Sequence, residues 1–170
     1  MAYGEAGLLD KAAETFKELT GRMPFANLRY YRTRYSHYKN EEDINRMIAG
    51  LRAAGVPENA YGFKESDANR LNADELEALV VGQTWNGTDE TGFSFVQQFS
   101  DDGRVAFSND YTMLVGESRL EGNAICVQFT SSMLGREDCG YVYRNPNGSG
   151  EDQNEYVRLA VGSVYYFSVK

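Results

Sequence analysis

The chain has 170 residues, 42% of them hydrophobic, which suits one ordinary domain, or a small domain with an appended helical piece, and argues against disorder. No apolar run approaches the roughly 20 residues that span a bilayer, and the opening MAYGEAGLLDK lacks the basic start and apolar stretch of a signal peptide, so a cytoplasmic chain with no membrane partner is expected. The formal charge of −8 is uneven: residues 1–40 carry seven Lys/Arg against four Asp/Glu, residues 41–170 ten against twenty-one, and so acidic a second part disfavours nucleic acid as a partner.

From Gly7 to Leu19 the residues Leu8, Leu9, Ala12, Ala13, Phe16 and Leu19 recur at helical spacing, and Gly21 with Pro24 supplies a stop. The stretch Phe25 to Tyr38 reads as a second helix or a partly extended segment. There Arg29, Arg32, Arg34 and Lys39 alternate with Tyr30, Tyr31, Tyr35 and Tyr38, a mixture that suits stacking on RNA bases or an acidic partner. Packing of helix on helix with wet arginines is the favoured reading. A firmer helix follows, with Asn40 and Asp43 placed to cap it, Ile44, Met47, Ile48 and Leu51 on one face, and Gly55 with Pro57 at its close. The polar stretch Glu58 to Asn69 reads as a linker. Asn72 and Glu75 then form a capping-box pattern before a short helix carrying Leu76, Leu79 and Val80.

After Gly82 the period changes to alternating apolar and polar residues in short runs broken by Gly, Asn and Asp, which predicts about eight antiparallel strands. These are GQTWNG, FSFVQQF, RVAFSN, YTMLVGESRL, AICVQFT, CGYVYRN, EYVRLAV and SVYYFSVK. Asp102-Gly103 and Gly122-Asn123 read as tight hairpin turns, and NPNGSG (145–150) as a longer flexible one. Hairpins without a long crossover predict an up-and-down meander, closed into a barrel because closure removes exposed edges; an open, curved sheet capped by the helix at Asn72–Val80 is the alternative. The predicted fold class is α+β, with helices at 1–57, a linker at 58–71 and the barrel with its leading helix at 72–170.

Chemistry is sparse. The single histidine, His37, lies far in sequence from either cysteine, which disfavours a nucleophilic triad and a His-rich metal centre. Asp101/Asp102 and Glu151/Asp152 fall in predicted turns, and no phosphate-cradling glycine loop is present. No enzyme activity, metal or cofactor is expected. Cys126 and Cys139 lie in adjacent predicted strands, where they could face each other. Reduced, partly buried thiols are the favoured state for a cytosolic chain, with a periplasmic chain carrying the bond as the alternative.

Trp85, the sole tryptophan, lies in a Gly-x-x-Trp start to the first strand that resembles the start of lipocalin-like barrels, a resemblance that implies an indole closing the barrel floor. Arg119, Tyr141, Tyr143, Arg144, Tyr156, Arg158 and Tyr165 could converge with Phe93, Phe95 and Phe99 around a cavity, since an eight-stranded barrel has room for roughly one small ligand. A filled interior is the favoured competitor. The residues assigned to ligand or partner binding are Trp85, Phe95, Arg119, Tyr141, Tyr143 and Tyr165.

Two stretches carry a resemblance. YGEAGLLDKAAETFKEL with the RMP turn resembles the second half of a tetratricopeptide repeat. EEDINRMIAGLRAAGVPE, ending Gly50-Leu51-Arg52-Ala53-Ala54-Gly55-Val56-Pro57-Glu58, resembles the closing helix after such repeats in bacterial class III adenylate/guanylate cyclases. The stretch from LNADELEALVVGQTW through FSFVQQFSDDGRVAF and CGYVYRN is similar to small lipocalin-like domains at the ends of such proteins in α-proteobacteria. There a helix precedes a Gly-x-Thr start, and a Leu-Glu-Gly turn and a Cys before Tyr-x-Tyr-Arg follow. The resemblance implies a regulatory or interaction module of a cyclase-like signalling protein, whose barrel binds a small molecule or protein and whose partners are upstream repeat and cyclase domains. It transfers no ligand, and the metal-binding aspartates of a cyclase have no counterpart here. The rival reading is a free-standing lipocalin-like carrier of an apolar or aromatic ligand. A lone repeat remnant leaves an apolar helix face uncovered, so a homodimer through Leu8, Leu9, Ala12 and Phe16 is expected.

Overall fold

The computed structural model describes residues 7–23, 25–35, 37, 40–130, 135–160 and 163–170, and the chain divides into two compact units, 1–62 and 63–170. Pro24 as helix stop, Tyr38 and Lys39 of the basic aromatic stretch, and Val161 at the end of the seventh expected strand lie outside the described residues.

The first unit holds helices α1 (Leu9–Arg22), α2 (Leu28–Arg34) and α3 (Glu41–Ala53). The stretch around Tyr30 is thus helical, begun by Asn27, whose side chain accepts from the Tyr30 N–H. Its aromatics pack as expected: Tyr30 is buried, Tyr31 stacks on Tyr35, and Arg32 and Arg34 stay exposed. Asn40 caps α3 by accepting from the Glu42 N–H, and Gly55, at φ +86, lets the chain reverse after it. The reversed segment ends orphan donors of α2, because the Pro57 and Glu58 carbonyls accept from the Leu28 and Arg29 N–H groups. Leu28, Ile44, Met47, Ile48, Leu51 and Val56 form the core, with Phe16 against it. The apolar face of α1 is therefore only partly uncovered: Ala12 is buried and Phe16 is packed, which corrects the expected four-residue contact surface, while Leu8 and Leu9 remain exposed.

The second unit opens with residues 63–71, which were expected to belong to a linker. They pack against the barrel: Phe63 is buried, Leu71 is buried within the barrel's core cluster, the Leu71 N–H donates to the Val142 carbonyl, and Arg70 forms a β-bridge with Tyr143. Helix α4 (Ala73–Val80) follows, started by the complete Asn72/Glu75 capping box.

Eight strands then close into an antiparallel up-and-down barrel: β1 (Thr84–Asp89), β2 (Ser94–Phe99), β3 (Arg104–Asn109), β4 (Met113–Glu121), β5 (Ala124–Phe129), β6 (Asp138–Arg144), β7 (Tyr156–Ala160) and β8 (Val164–Val169). Pairing of β1 with β8, from Trp85 opposite Val169 to Asp89 opposite Tyr165, completes the ring, so the open-sheet alternative is not formed. At Gly87 a Cβ would run into the Tyr166 backbone, so only glycine lets the closing strands approach this closely. The loop 145–150 is pinned rather than free, with Asn145 and Asn154 buried and the Asn145 amide donating to the Asn154 carbonyl.

Candidate functional site: a charged cavity at one end of the barrel

The pleat sends Trp85, Phe95, Gln97, Phe99, Phe107, Val127, Val142, Arg158, Tyr165 and Phe167 inward. At the end where β1 begins, the interior is filled. Trp85 is fully buried, stacks on Phe167 with ring centroids 3.9 Å apart, meets Phe99 edge-on, and its indole N–H donates to the Leu79 carbonyl at 2.7 Å. Leu76 and Val80 of α4 are buried in the same cluster, so helix and indole together plug this end. Trp85 is a floor residue.

The opposite end holds a cavity of about 70 Å³ lined by Gln97, Phe107, Leu114, Val127, Phe129, Arg136, Asp138, Arg158, Ser163 and Tyr165. The filled end thus contrasts with a small cavity at the other. Arg158, 2% exposed, is its decisive residue. One terminal nitrogen, Nη1, donates to Asp138 Oδ2 at 3.2 Å and Ser163 Oγ at 3.0 Å, and the other, Nη2, donates to the Asp138 carbonyl at 2.6 Å. The Ser163 hydroxyl donates to Asp138 Oδ2 at 2.6 Å, which closes a three-residue network. The guanidinium carbon sits 5.9 Å from the centroid of the Tyr165 ring. Its Nε is enclosed and has no hydrogen-bond partner among the described residues. A buried unpaired donor costs about 1–3 kcal/mol, and more when it is charged, so the network is incomplete as it stands.

Gln97, also buried, brings a further polar group to the wall beside the apolar Phe107, Leu114, Val127 and Phe129. Arg136 is exposed at the cavity's margin and adds a positive charge that the Arg158–Asp138 pair does not cancel. Burial pushes the Tyr165 phenol above its ordinary value; Asp89 and Asp138 add to this and Arg158 opposes it, so the ring enters the site as a neutral group.

Of the six residues assigned from sequence, only Tyr165 lines the cavity, and Phe95 supports it, edge-on to Tyr165 at 4.9 Å and stacked on Phe107. The other three face outward. Arg119 is on the outer side of β4, paired with Glu121 at 2.7 Å and Glu137 at 2.8 Å. Tyr141 is exposed beneath the Arg70 guanidinium. Tyr143 is covered by the 63–71 segment, edge-on to Phe63, its hydroxyl donating to Glu65 Oε1 at 3.2 Å. The reason is register: a one-residue step along a strand reverses the face, and the outward set 139, 141, 143 of β6 alternates with the inward set 138, 140, 142. Sequence reasoning included Arg158 in the converging set but missed Asp138, Ser163 and Gln97.

On the outer face Cys126 and Cys139 stand opposite each other in the β5–β6 register and are joined as a disulfide, in place of the expected reduced thiols. Glu121 lies beside the two sulfurs, but a disulfide offers no thiolate to a metal. Among the described residues no helix is long and apolar enough to cross a membrane. No family model matches this chain, and no curated protein or solved structure does so either.

Proposed function

We propose that the chain is a non-catalytic module whose barrel takes up a small molecule in the cavity beside Arg158. The observation that carries this is a buried arginine in a cavity wall with one donor unmatched. A barrel selected only for stability would place an apolar side chain there, since replacing a buried ion pair by packed apolar groups is often neutral or stabilising. The resemblance of Gly50–Glu58 and of the barrel's turns to cyclase-associated segments supports a regulatory role within a nucleotide-cyclase-like signalling protein, the helices tying the barrel to upstream domains.

One observation favours the second reading, a free-standing carrier. The Cys126–Cys139 bond belongs to an oxidising compartment more naturally than to the cytoplasm, where thiols are kept reduced. Intact mass after alkylation without reductant separates the two settings: no alkyl adduct on protein drawn from its native cells supports the carrier, two adducts support the cytoplasmic module.

Native mass spectrometry of the protein purified from cells tests binding itself. A reproducible small added mass, lost on denaturation and absent from an Arg158→Met, Asp138→Leu double variant, is the expected result. An equal adduct on that variant overturns the assignment of the site.

A further inference from the structure

We infer that the cavity's ligand is a short-chain monocarboxylate, its carboxylate turned to Arg158 and Gln97 and its short tail to the aromatic and aliphatic wall. This rests on the proposal that the cavity binds a small molecule, and adds its chemical class.

Size comes first. An engineered apolar cavity of roughly 150 Å³ takes benzene, so a void half that volume takes about three to five non-hydrogen atoms, the size of acetate or propionate. A short acid fits whole within the cavity of about 70 Å³, whereas a fatty acid, aromatic acid or nucleotide would have to extend past its margin.

Charge comes next. Among the described residues the lining carries Arg158 and, at its margin, Arg136 against Asp138 alone, an excess of positive charge in an acidic barrel. Asp138 Oδ2 is already committed, since it accepts from both Arg158 Nη1 and the Ser163 hydroxyl, and the Asp138 backbone carbonyl accepts from Nη2. A cation entering the cavity would meet two guanidiniums and a carboxylate already paired with one of them. An acceptor entering it meets the guanidinium of Arg158, which lines the cavity and whose Nε has no hydrogen-bond partner among the described residues. A planar carboxylate suits a guanidinium because its oxygens match the spacing of adjacent N–H groups.

Shape separates carboxylate from bare oxyanions. Phosphate and sulfate have polar atoms on every side, and here Phe107, Leu114, Val127 and Phe129 supply an apolar part of the wall, with no polar partner of their own to offer. Burying an oxygen against them without a partner is costly. A carboxylate with one or two carbons behind it leaves only apolar atoms to meet that wall.

The test follows the Arg158 Nε–Hε resonance and the Leu114 and Val127 methyls by NMR in the full chain at constant ionic strength. The probes are acetate, propionate, propionamide, propylammonium, nitrate and inorganic phosphate. Acetate or propionate is expected to shift all three signals saturably, with propionamide and propylammonium at least about tenfold weaker, a difference of about 1.4 kcal/mol. The substitution Gln97→Leu, which removes a buried polar group at similar volume and so preserves folding, is expected to weaken propionate about tenfold. Tighter binding of propionamide or propylammonium overturns the carboxylate assignment while leaving a binding cavity in place. Nitrate equal to acetate assigns the site to planar inorganic anions, and phosphate as the tightest probe assigns it to tetrahedral ones; either overturns the tail's role. No shift from any probe at concentrations of tens of millimolar overturns both the class and the cavity's function.

Discussion

At the end of the barrel where β1 begins, Trp85, Phe99 and Phe167 fill the interior, α4 covers it, and the indole N–H has its acceptor. At the end where β1 finishes, the same pleat delivers Gln97, Arg158 and Tyr165 together with Asp138 and Ser163, and a void remains. The first end is arranged as a protein core is, dense and with its polar atom satisfied. At the second, the polar side chains hold one another at fixed positions, and the surrounding rings cannot collapse onto them without breaking those bonds. A cavity persists in a small barrel because its polar network keeps it open, at a cost in stability that binding of the proposed ligand would offset.

This contrast can be broken most forcefully at the filled end. Trp85→Ala removes the largest buried ring and its hydrogen bond, and a loss of about 3–5 kcal/mol in denaturant unfolding is expected. A loss below about 1 kcal/mol would mean that the floor is not the stabilising end.

At the charged end, Asp138→Asn leaves the Arg158 guanidinium without its ionic partner. The expected cost is about 2 kcal/mol, less than the about 3–5 kcal/mol of a fully enclosed pair, because the Asp138 side chain keeps 19% of its exposure. The double replacement Arg158→Met with Asp138→Leu is expected to recover most of that loss and to abolish binding, which separates stability from function.

Alkali gives a finer test. The Tyr165 phenol is raised in the folded protein by burial, so the folded state keeps this proton where the unfolded chain has lost it. Its contribution is full below pH 10.0, the ordinary value, and is lost as pH rises from there through the folded value. Stability should therefore fall with rising alkalinity, and Tyr165→Phe should make the decline shallower. Tyr143, raised by burial and by Glu65, and Tyr31, raised by burial and by Tyr30 and Tyr35, contribute in the same direction and remain in that variant. An identical slope in Tyr165→Phe would show that the phenol is not enclosed in solution.

The smallest effect is expected on the outer face. Arg119 is half exposed and bridges Glu121 and Glu137, so Arg119→Ala should change stability by less than about 1 kcal/mol and leave ligand affinity unchanged. A marked loss of affinity would return the outward residues to the site.

The strands and turns were legible because each rests on local chemistry: alternation set the strand positions, Asp102-Gly103 and Gly122-Asn123 set hairpins, and Asn72/Glu75 set the start of α4. Barrel closure followed from the absence of crossovers. The site was harder to read. Arg158 lies in Tyr156-Val157-Arg158-Leu159-Ala160, where both neighbours are apolar and buried, so alternation does not say which face is inward. Tyr141 and Tyr143 looked like cavity residues on composition and were placed outside by a register only cross-strand pairing fixes. Asp138 stands at the first position of β6, one residue before the expected strand CGYVYRN, and Ser163, the first residue of the expected strand SVYYFSVK, lies just before β8, so both sit at strand ends where alternation says little about the face. The disulfide was foreseeable as a geometry but not as a redox state, because that depends on the compartment.

The most direct test is a methyl shift map of the full chain during a titration with propionate, comparing Leu114 and Val127 at the charged end with Leu76 and Val80 at the plugged end. Saturable shifts at Leu114 and Val127, with Leu76 and Val80 unmoved, are the predicted result. Shifts confined to Leu76 and Val80, or none at either end while Arg158 Nε–Hε stays unchanged, would contradict a barrel with one closed end and one binding end.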